Sequence, residues 1–238
     1  MKYKIDTHTH SIASGHAYNT IREMAQDASM RGIEYLGITE HAPKMPGTCH
    51  DMYFLNLGVI NRRQYGVRLL MGAELNIMDY KGRVDLTERI IKPMDIVIAS
   101  MHTPCLKPGT MEENTSAVVY AMNNPLIHVI GHPDDARYPL DYEVVVKTAK
   151  ETGTLLELNN NSLNPNGPRV GAKDNDIKML ELCRKYNVPI VISSDAHTAE
   201  KIGDFTNAQA LIDELDFPEE LIVNRDFKEL NRFLKIEE

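Results

Sequence analysis

The sequence predicts an α/β fold built on one parallel β-sheet, and three observations support this. Most of seven short candidate strands are rich in isoleucine, valine and leucine with little polar alternation, as is typical of parallel strands covered on both faces. Amphipathic stretches with helix-capping residues separate these runs, so strands and helices alternate along the chain. A length of 238 residues suits one large domain, because α/β barrels often reach this length undivided. We therefore predict a single domain over residues 1–238.

The predicted elements follow one another in regular order. The strands are expected at Tyr3–His8, Tyr35–Glu40, Arg68–Leu75, Asp95–Met101, Leu126–Gly131, Thr154–Asn159 and Pro189–Ser194. A capping box at Thr20-Ile21-Arg22-Glu23 begins the first helix, and Gly32 marks its end. Further helices are expected over Asp51–Tyr65, Glu112–Asn124, Asp141–Thr152 and Asp174–Tyr186, from Thr206, and after Asp226. Leu221–Val223 is either a last short strand or a connector.

Composition narrows the classes of function. A formal net charge of -8 argues against nucleic-acid binding, which normally requires a basic face. The three cysteines, Cys49, Cys105 and Cys183, make no disulfide framework and suit a reducing compartment. The chain has neither an apolar signal region nor an apolar run of transmembrane length. We therefore predict a cytoplasmic protein without membrane or nucleic-acid partners, and its sequence is compatible with a homo-oligomer.

Every predicted strand ends in histidine, aspartate or glutamate side chains. His8 and His10 are two residues apart, so on an extended backbone both imidazoles point the same way. In a closed parallel barrel the carboxyl ends of all strands converge on one mouth, which is the active-site face. One such residue alone would be a weak signal, but the whole set predicts a site: His8, His10, His16, Glu40, His41, Glu74, His102, His132, Asp134, Glu157, Asp195 and His197.

The number of these side chains indicates more than one metal ion. Glu40, Asp134 and Glu157 are better suited to hold other residues in place, which leaves seven histidines and two carboxylates. One zinc ion takes three or four protein ligands, so this set exceeds one ion and fits two or three. Glu74 is the better placed candidate for a bridging carboxylate. An imidazole-rich site favours zinc, iron or manganese over magnesium or calcium.

Six ordered motifs also carry a resemblance to a known family. They are His-Thr-His at 8–10, Thr-Glu-His at 39–41, Gly-Ala-Glu at 72–74, Ser-Met-His at 100–102, Gly-His-Pro-Asp at 131–134 and Ser-Asp-Ala-His at 194–197. Together they resemble the polymerase and histidinol phosphatase (PHP) family, within it the YcdX-like phosphatase branch. The resemblance implies a distorted (β/α)7 TIM-like barrel with three divalent ions. It implies one ion on His8, His10, Glu74 and Asp195, a second on Glu74, His102 and His132, and a third on His16, His41 and His197.

The leading functional hypothesis is a metal-dependent phosphatase acting on a small phosphomonoester. Several metals in one mouth can generate hydroxide at neutral pH and neutralise phosphoryl oxygens. Zinc is the first choice, with manganese or iron as alternatives. Arg169 and Arg137 are candidate phosphate-binding residues, because a guanidinium matches phosphate geometry, although each could equally be a solvated surface arginine.

Three alternatives stay open at this point. The first is a metal-dependent nuclease or phosphodiesterase, which the acidic charge balance disfavours. The second is an amidohydrolase-like enzyme, although such enzymes often use a lysine at a strand end and no predicted strand here ends in lysine. The third is a metal store or accessory module without catalysis. His128, His50 and Cys105 are expected to lie outside the metal site.

Overall fold

The computed structural model describes residues 3–236. Its strands are β1 (Ile5–Asp6), β2 (Tyr35–His41), β3 (Arg63–Gln64), β4 (Val67–Asn76), β5 (Ile96–Ser100), β6 (Val129–Ile130), β7 (Leu155–Asn159) and β8 (Ile190–Ser193). Its helices are α1 (Ile21–Met30), α2 (Asp51–Leu55), α3 (Glu88–Ile91), α4 (Met111–Met122), α5 (Tyr142–Thr152), α6 (Ala172–Tyr186), α7 (Thr206–Glu214) and α8 (Phe227–Leu234). Within residues 3–236, no helix is both long and apolar enough to cross a bilayer.

Seven strands form a parallel sheet that curls into a nearly closed barrel. The order is β1-β2-β4-β5-β6-β7-β8, so each strand pairs with the next parallel strand in the sequence. Beyond the ends of β1 and β8, Thr9 pairs with Ala196 in a parallel bridge, and the hydroxyls of Thr7 and Ser193 are 2.9 Å apart. These contacts bring the first and last strands together. The predicted distorted (β/α)7 TIM-like barrel is confirmed.

An asparagine completes the seam between β1 and β8. The side chain of Asn224 donates hydrogen bonds to the carbonyls of Ile5 (2.9 Å) and Ile192 (2.7 Å), and accepts one from the Ile192 N–H (2.7 Å). Its amide thereby replaces ladder hydrogen bonds that the two-residue β1 cannot supply. The segment around it, which the sequence left open as strand or connector, forms two short 3₁₀ turns, with one isolated bridge from Ile222 to Ile190.

Alternation along β4 shows how the barrel separates its core from its site. Leu69, Met71, Ala73 and Leu75 belong to the core cluster that includes apolar residues of the surrounding helices, whereas Leu70 belongs to a second cluster in the barrel interior. Leu230 and Leu234 of α8 join that inner cluster, at the end where the strands begin. Side chains of a strand alternate between faces, so Leu70, Gly72, Glu74 and Asn76 line the interior in turn. The polar members therefore lie at the carboxyl end.

Gly72 is required by the tightness of this interior. A Cβ atom built at Gly72 would lie 1.9 Å from the carbonyl oxygen of Ile96 on the adjacent strand. The bare backbone thus lets β4 and β5 approach closely, directly below Glu74.

The expected helix over Asp51–Tyr65 is wrong beyond its first turns. Helix α2 ends at Leu55, a 3₁₀ turn follows, and the chain then forms the antiparallel hairpin of β3 and β4. The hairpin turns at Tyr65-Gly66, where both residues have positive φ (51° and 83°), as a type I′ turn requires. Gly66, which the sequence analysis took as the end of a helix, is therefore part of a hairpin turn. The short helix α3 was not predicted. The six other predicted helices are present, with ends within a few residues.

Candidate metal centre

The nine predicted metal-binding side chains lie together at the carboxyl ends of the strands, and Glu74 of β4 is at their centre. The Glu74 carboxylate is fully buried and faces five imidazoles. The nearest nitrogens belong to His41 (2.5 Å), His132 (2.8 Å), His102 (3.2 Å), His8 (3.5 Å) and His10 (3.7 Å). Because five imidazole nitrogens surround this one carboxylate, Glu74 is positioned to share a cation with several of these histidines.

Asp195, which follows β8, forms a second centre on the same face. Its Oδ1 lies 3.4 Å from the Nε2 of His10, 3.6 Å from the Nδ1 of His197 and 3.8 Å from the Nε2 of His8. Its Oδ2 accepts hydrogen bonds of 3.0 Å from both terminal nitrogens of Arg169. Asp195 therefore connects the histidines of the first strand with an arginine from the long loop after β7.

Three overlapping groups of side chains offer donor atoms within 4.8 Å of one another. They are His8 with His10 and Glu74, His41 with Glu74 and His102, and His10 with His41 and His197. His16 lies at the outside of the set, with its ring centroid 4.8 Å from that of His41 and 4.9 Å from that of His197. His10, His41 and Glu74 thus each belong to two groups, so the three groups form one connected network.

Unpartnered buried atoms show that the residues fit metal ions. The Nε2 atoms of His8, His10 and His102, the Nδ1 of His41 and the Oε2 of Glu74 are all buried, and none has a hydrogen-bond partner among the described residues. Buried polar atoms are rarely left without a partner, because each costs about 1–3 kcal/mol. These atoms face one another, and the set of imidazole and carboxylate donors suits zinc, iron or manganese. A shared cation would satisfy them all.

Hydrogen bonds on the far side of three rings fix which nitrogen faces the centre. The Nδ1 of His8 lies 2.7 Å from the Oε1 of Glu157, and that of His102 lies 2.7 Å from the Oδ1 of Asn76. An ionised carboxylate and an amide oxygen can only accept, so both Nδ1 atoms carry a proton and both Nε2 atoms face inward. Metal-binding histidines typically show this arrangement.

His10 is fixed in the same way through Ser14. The Ser14 hydroxyl donates to the Oε2 of Glu40 (2.6 Å), so its single proton is used there. It therefore accepts from the Nδ1 of His10 (3.0 Å), and it accepts as well from the backbone N–H of His41 (3.0 Å). One buried hydroxyl thus sets the tautomer of one candidate ligand and the position of another.

Two of the candidate ligands lie on backbone in the left-handed region. His132 has a φ of 30° and Asp195 a φ of 53°, a region that non-glycine residues rarely adopt. Such conformations cost of order 1–3 kcal/mol and concentrate at functional sites. For His132 the strained position is supported by a hydrogen bond of 2.7 Å from its N–H to the Oε2 of Glu157.

The surrounding charges keep both central carboxylates ionised. Burial alone would raise the pKa of Glu74, but the neighbouring imidazoles, His102 first, hold this pKa well below its ordinary value. Burial opposes ionisation of Asp195 in the same way, and His8 and Arg169 hold the pKa of its carboxyl well below the usual range. Both groups are therefore in the form that binds cations.

Burial lowers the pKa of two of the central imidazoles. Burial, reinforced by His41 and His197, lowers the pKa of His10 well below its ordinary value, and burial also lowers the pKa of His102. His8 behaves differently: burial would lower its pKa, but Glu157 and the two central carboxylates hold it well above the ordinary value. A cation binding to His8 would therefore displace a proton, as is general for metal sites.

A cavity of about 340 Å³ opens above this cluster. Both predicted phosphate-binding arginines line it, but they differ in freedom. Arg169 is nearly buried, and its Nη1 also donates to the Oγ of Ser162 (3.2 Å). Arg137 is more exposed, and its Nε and Nη2 atoms are paired with the carboxylate of Asp135. Arg169 is thus the arginine that reaches the centre, whereas the guanidinium of Arg137 is largely engaged at the rim.

Sequence reasoning placed some supporting residues correctly and missed others. Glu157 holds His8 and His132, and Glu40 holds Ser14, as described above. Asp134 makes no hydrogen bond to a candidate histidine; its carboxyl is buried, and burial, with the nearby carboxylates of Glu157 and Asp135, raises the pKa of Asp134 to about 7. Ser14 and Asn76 were missed. Asn76 could have been found from the sequence, because it follows Glu74 by two residues on one strand and so faces the same side.

The remaining histidines and Cys105 lie outside the cluster, as expected. The Nδ1 of His128 accepts a hydrogen bond from the Val97 N–H (3.0 Å), and burial lowers the pKa of this histidine to about 4. His50 precedes α2 and accepts from the N–H of Met52 at 3.5 Å. The thiol of Cys105 contacts the carbonyl of Lys44 instead of a candidate ligand.

Comparison with known proteins agrees with this architecture. A histidinol phosphate phosphatase from Lactococcus lactis subsp. lactis, solved in complex with zinc, L-histidinol and phosphate, has a similar fold. The TM-score is 0.63 at 19% sequence identity, with 91% of this chain and 95% of that chain covered, so the likeness shows the fold.

Closer relatives are found by sequence. A protein of Clostridium novyi named a probable phosphatase is 49% identical over 99% of this chain and 96% of its own length. Another so named, from Clostridium acetobutylicum, is 46% identical with the same coverage. The PHP domain profile matches residues 6–161, and the PHP-associated profile matches residues 178–220. This chain therefore belongs to the PHP family.

Proposed function

We propose that the protein is a metal-dependent phosphatase that hydrolyses a small phosphomonoester at a centre of three divalent ions. The observation that carries the proposal is the group of buried, unpartnered donor atoms around Glu74 and Asp195, which open onto one cavity. The relatives named probable phosphatases and the zinc-containing histidinol phosphate phosphatase support the phosphatase class.

Nine side chains would hold the ions. His8, His10, Glu74 and Asp195 would share one, because their donor atoms are 3.4–3.8 Å apart. Glu74 with His102 and His132 would hold the second, and His41 with His197 and the outer His16 would hold the third. Zinc is the expected metal, with manganese or iron as alternatives. Bound divalent ions supply Lewis acidity, which attracts phosphate oxygens and lowers the pKa of water.

The side chains of the protein would position the substrate for hydrolysis. Arg169 faces the cavity, and although both of its terminal nitrogens donate to Asp195, its Nε makes no hydrogen bond to the described residues. The edge formed by Nε and Nη2 can therefore bind phosphate oxygens in a bidentate manner. Arg137 would contribute less, because Asp135 occupies its fork. Glu157, Asn76 and Ser14 keep the ligand histidines in the required tautomers. Hydrolysis adds water across the phosphorus–oxygen ester bond and releases the alcohol and inorganic phosphate.

Metal analysis and a matched pair of substrates test the proposal. Protein purified without chelator should contain close to three ions per chain by elemental analysis. It should hydrolyse p-nitrophenyl phosphate faster than bis(p-nitrophenyl) phosphate, and chelation should abolish both activities until zinc or manganese is restored. One ion per chain after full reconstitution would refute the three-ion centre. A preference for the diester would refute the phosphomonoesterase assignment.

A further inference from the structure

A second cavity, of about 250 Å³, adjoins the metal centre. It shares Asn161, Asp195 and His197 with the first cavity, so both open onto the same cluster. We call it the amide cavity, after the side chains that characterise it: Asn160, Asn161, Asn164, Asn207, Thr198 and Lys201. The proposed phosphatase reaction gives it no role yet.

The lining of the amide cavity is polar and close to neutral in charge. Ala196 is the only nonpolar residue among the described residues that line it, and no phenyl, phenol or indole ring is present there. The ammonium group of Lys201 pairs with Asp204 at 3.1 Å, which neutralises its charge. The only aromatic ring among the described lining residues is the imidazole of His197, which is a candidate metal ligand. The cavity therefore offers little stacking surface for a base or aromatic ring, and its paired lysine is not a free cation for a second phosphate.

Helix α7 orients one of the amides. Its first residues are capped from outside the helix, because the Oδ1 of Asn160 accepts from the N–H groups of Asn207 (2.8 Å) and Ala208 (3.1 Å). The preceding residue, Phe205, supplies no side-chain cap. These bonds fix the orientation of the Asn160 amide, and its Nδ2 donates no hydrogen bond to the described residues.

Other amides in the cavity also have unused hydrogen-bonding groups. The Oδ1 of Asn164 accepts from the Asn166 N–H (3.0 Å), but its Nδ2 has no acceptor among the described residues. The side chain of Asn161 makes no hydrogen bond to the described residues, and it lies where the two cavities meet. Amides with free donors and acceptors match hydroxyl groups, which also donate and accept.

We propose that the amide cavity binds the alcohol portion of the substrate, and that this portion is a small polyhydroxylated group, either a sugar or a polyol. The inference rests on the proposed phosphatase function, which places the phosphate at the metal centre. The volume lies below the roughly 300 Å³ at which pockets for drug-sized ligands begin, so it suits a pentose or hexose better than a nucleoside. Asn161 would contact the substrate between its phosphate and its hydroxyl groups.

The test compares substrates and variants in the metal-loaded enzyme. The ratio of kcat/KM for ribose 5-phosphate or glucose 6-phosphate to that for phenyl phosphate is measured in wild type, Asn161→Ala and Asn207→Ala. We expect a ratio above one in wild type. Each substitution should reduce it about five- to tenfold, as the loss of one or two neutral hydrogen bonds implies. Asn166→Ala, an exposed asparagine of the same loop that does not line the cavity, should leave the ratio unchanged.

The outcomes separate this inference from the proposed function. Equal or lower kcat/KM for both sugar phosphates than for phenyl phosphate would overturn the sugar assignment while leaving the phosphatase intact. An unchanged ratio in both variants, with wild-type melting temperatures, would overturn the role of the amide cavity, as would a strong preference for nucleoside monophosphates. Absence of hydrolysis with every phosphomonoester would instead refute the proposed function, and this inference with it.

Discussion

Replacing Ser14 by alanine should weaken metal binding without contacting any metal. The Ser14 hydroxyl accepts from the Nδ1 of His10 and from the backbone N–H of His41, each at 3.0 Å, and it donates to Glu40 at 2.6 Å. All four groups are buried. Ser14→Ala removes the three hydrogen bonds together, so His10 loses the partner that keeps its Nε2 lone pair pointing at the centre.

The expected magnitude follows from the lost contacts. Partners that orient metal-binding histidines are typically worth about 10–100-fold in metal affinity. This corresponds to about 1.4–2.8 kcal/mol at about 1.4 kcal/mol per decade. We therefore expect the dissociation constant of at least one ion to rise by about 10–100-fold. The three broken hydrogen bonds should also lower the free energy of unfolding by about 1–3 kcal/mol.

Competition with a chromophoric chelator measures the affinities, and thermal unfolding of the metal-free protein measures the stability. Ser29→Ala is the matched control, because the Ser29 hydroxyl is exposed and donates only to the carbonyl of Tyr65. It should bind every ion with wild-type affinity. If Ser14→Ala folds and also keeps wild-type affinity for all ions, then the hydrogen bond to His10 does not position a ligand, and the tautomer argument is wrong.

Three further predictions concern the site and its surroundings. Glu74→Gln should lower the metal content by more than one ion per chain in elemental analysis, because Glu74 faces the donors of two ions, whereas His50→Ala should retain wild-type content. Arg169→Ala should reduce kcat/KM for p-nitrophenyl phosphate by about 10–100-fold, as expected for loss of charged hydrogen bonds, and Arg137→Ala by less than about threefold. Asp176 has a pKa raised well above 3.8 by burial and a neighbouring carboxyl, so the folded state keeps a proton that the unfolded state loses. The contribution of Asp176 to the free energy of unfolding is therefore lost as the pH rises above about 4. In urea unfolding of chelator-treated protein, the free energy of unfolding of Asp176→Asn should fall less than that of wild type between pH 5 and pH 7.

The strands and their terminal residues could be predicted because their signals are local. A parallel strand needs an apolar run, and its last residues reach the barrel mouth whatever the rest of the chain does. All seven predicted strands are present, and the side chains that follow them meet around Glu74. The helix expected over Asp51–Tyr65 was wrong because Gly66 fits both a helix end and a hairpin turn, and only pairing with β4 distinguishes them.

The supporting residues were harder to predict because their contacts are distant in the sequence. Ser14 lies in a 3₁₀ turn, to which neither the helical nor the strand period applies, and its partner Glu40 is 26 residues away. Asn76 could have been inferred from the alternation that places Glu74 inside the barrel. The proximity of Asp134 to Asp176 brings a loop close to a helix 42 positions later, and no pattern in either segment indicates it.

The buried carboxylates differ in how many hydrogen bonds they accept, and this difference distinguishes a candidate metal ligand from carboxylates that hold ligands in place. Both oxygens of Glu157 accept hydrogen bonds, from His8 and from the N–H of His132, and Glu40 accepts from Ser14 and from the N–H of Ser11. Each oxygen of these two carboxylates thus has a hydrogen-bond donor. The Oε2 of Glu74 has no hydrogen bond although it is fully buried and 2.5 Å from the Nδ1 of His41. Two buried glutamates of one barrel thus hold neighbouring residues in place, and the unpartnered Oε2 of the third, Glu74, supports our proposal that this residue is the shared metal ligand.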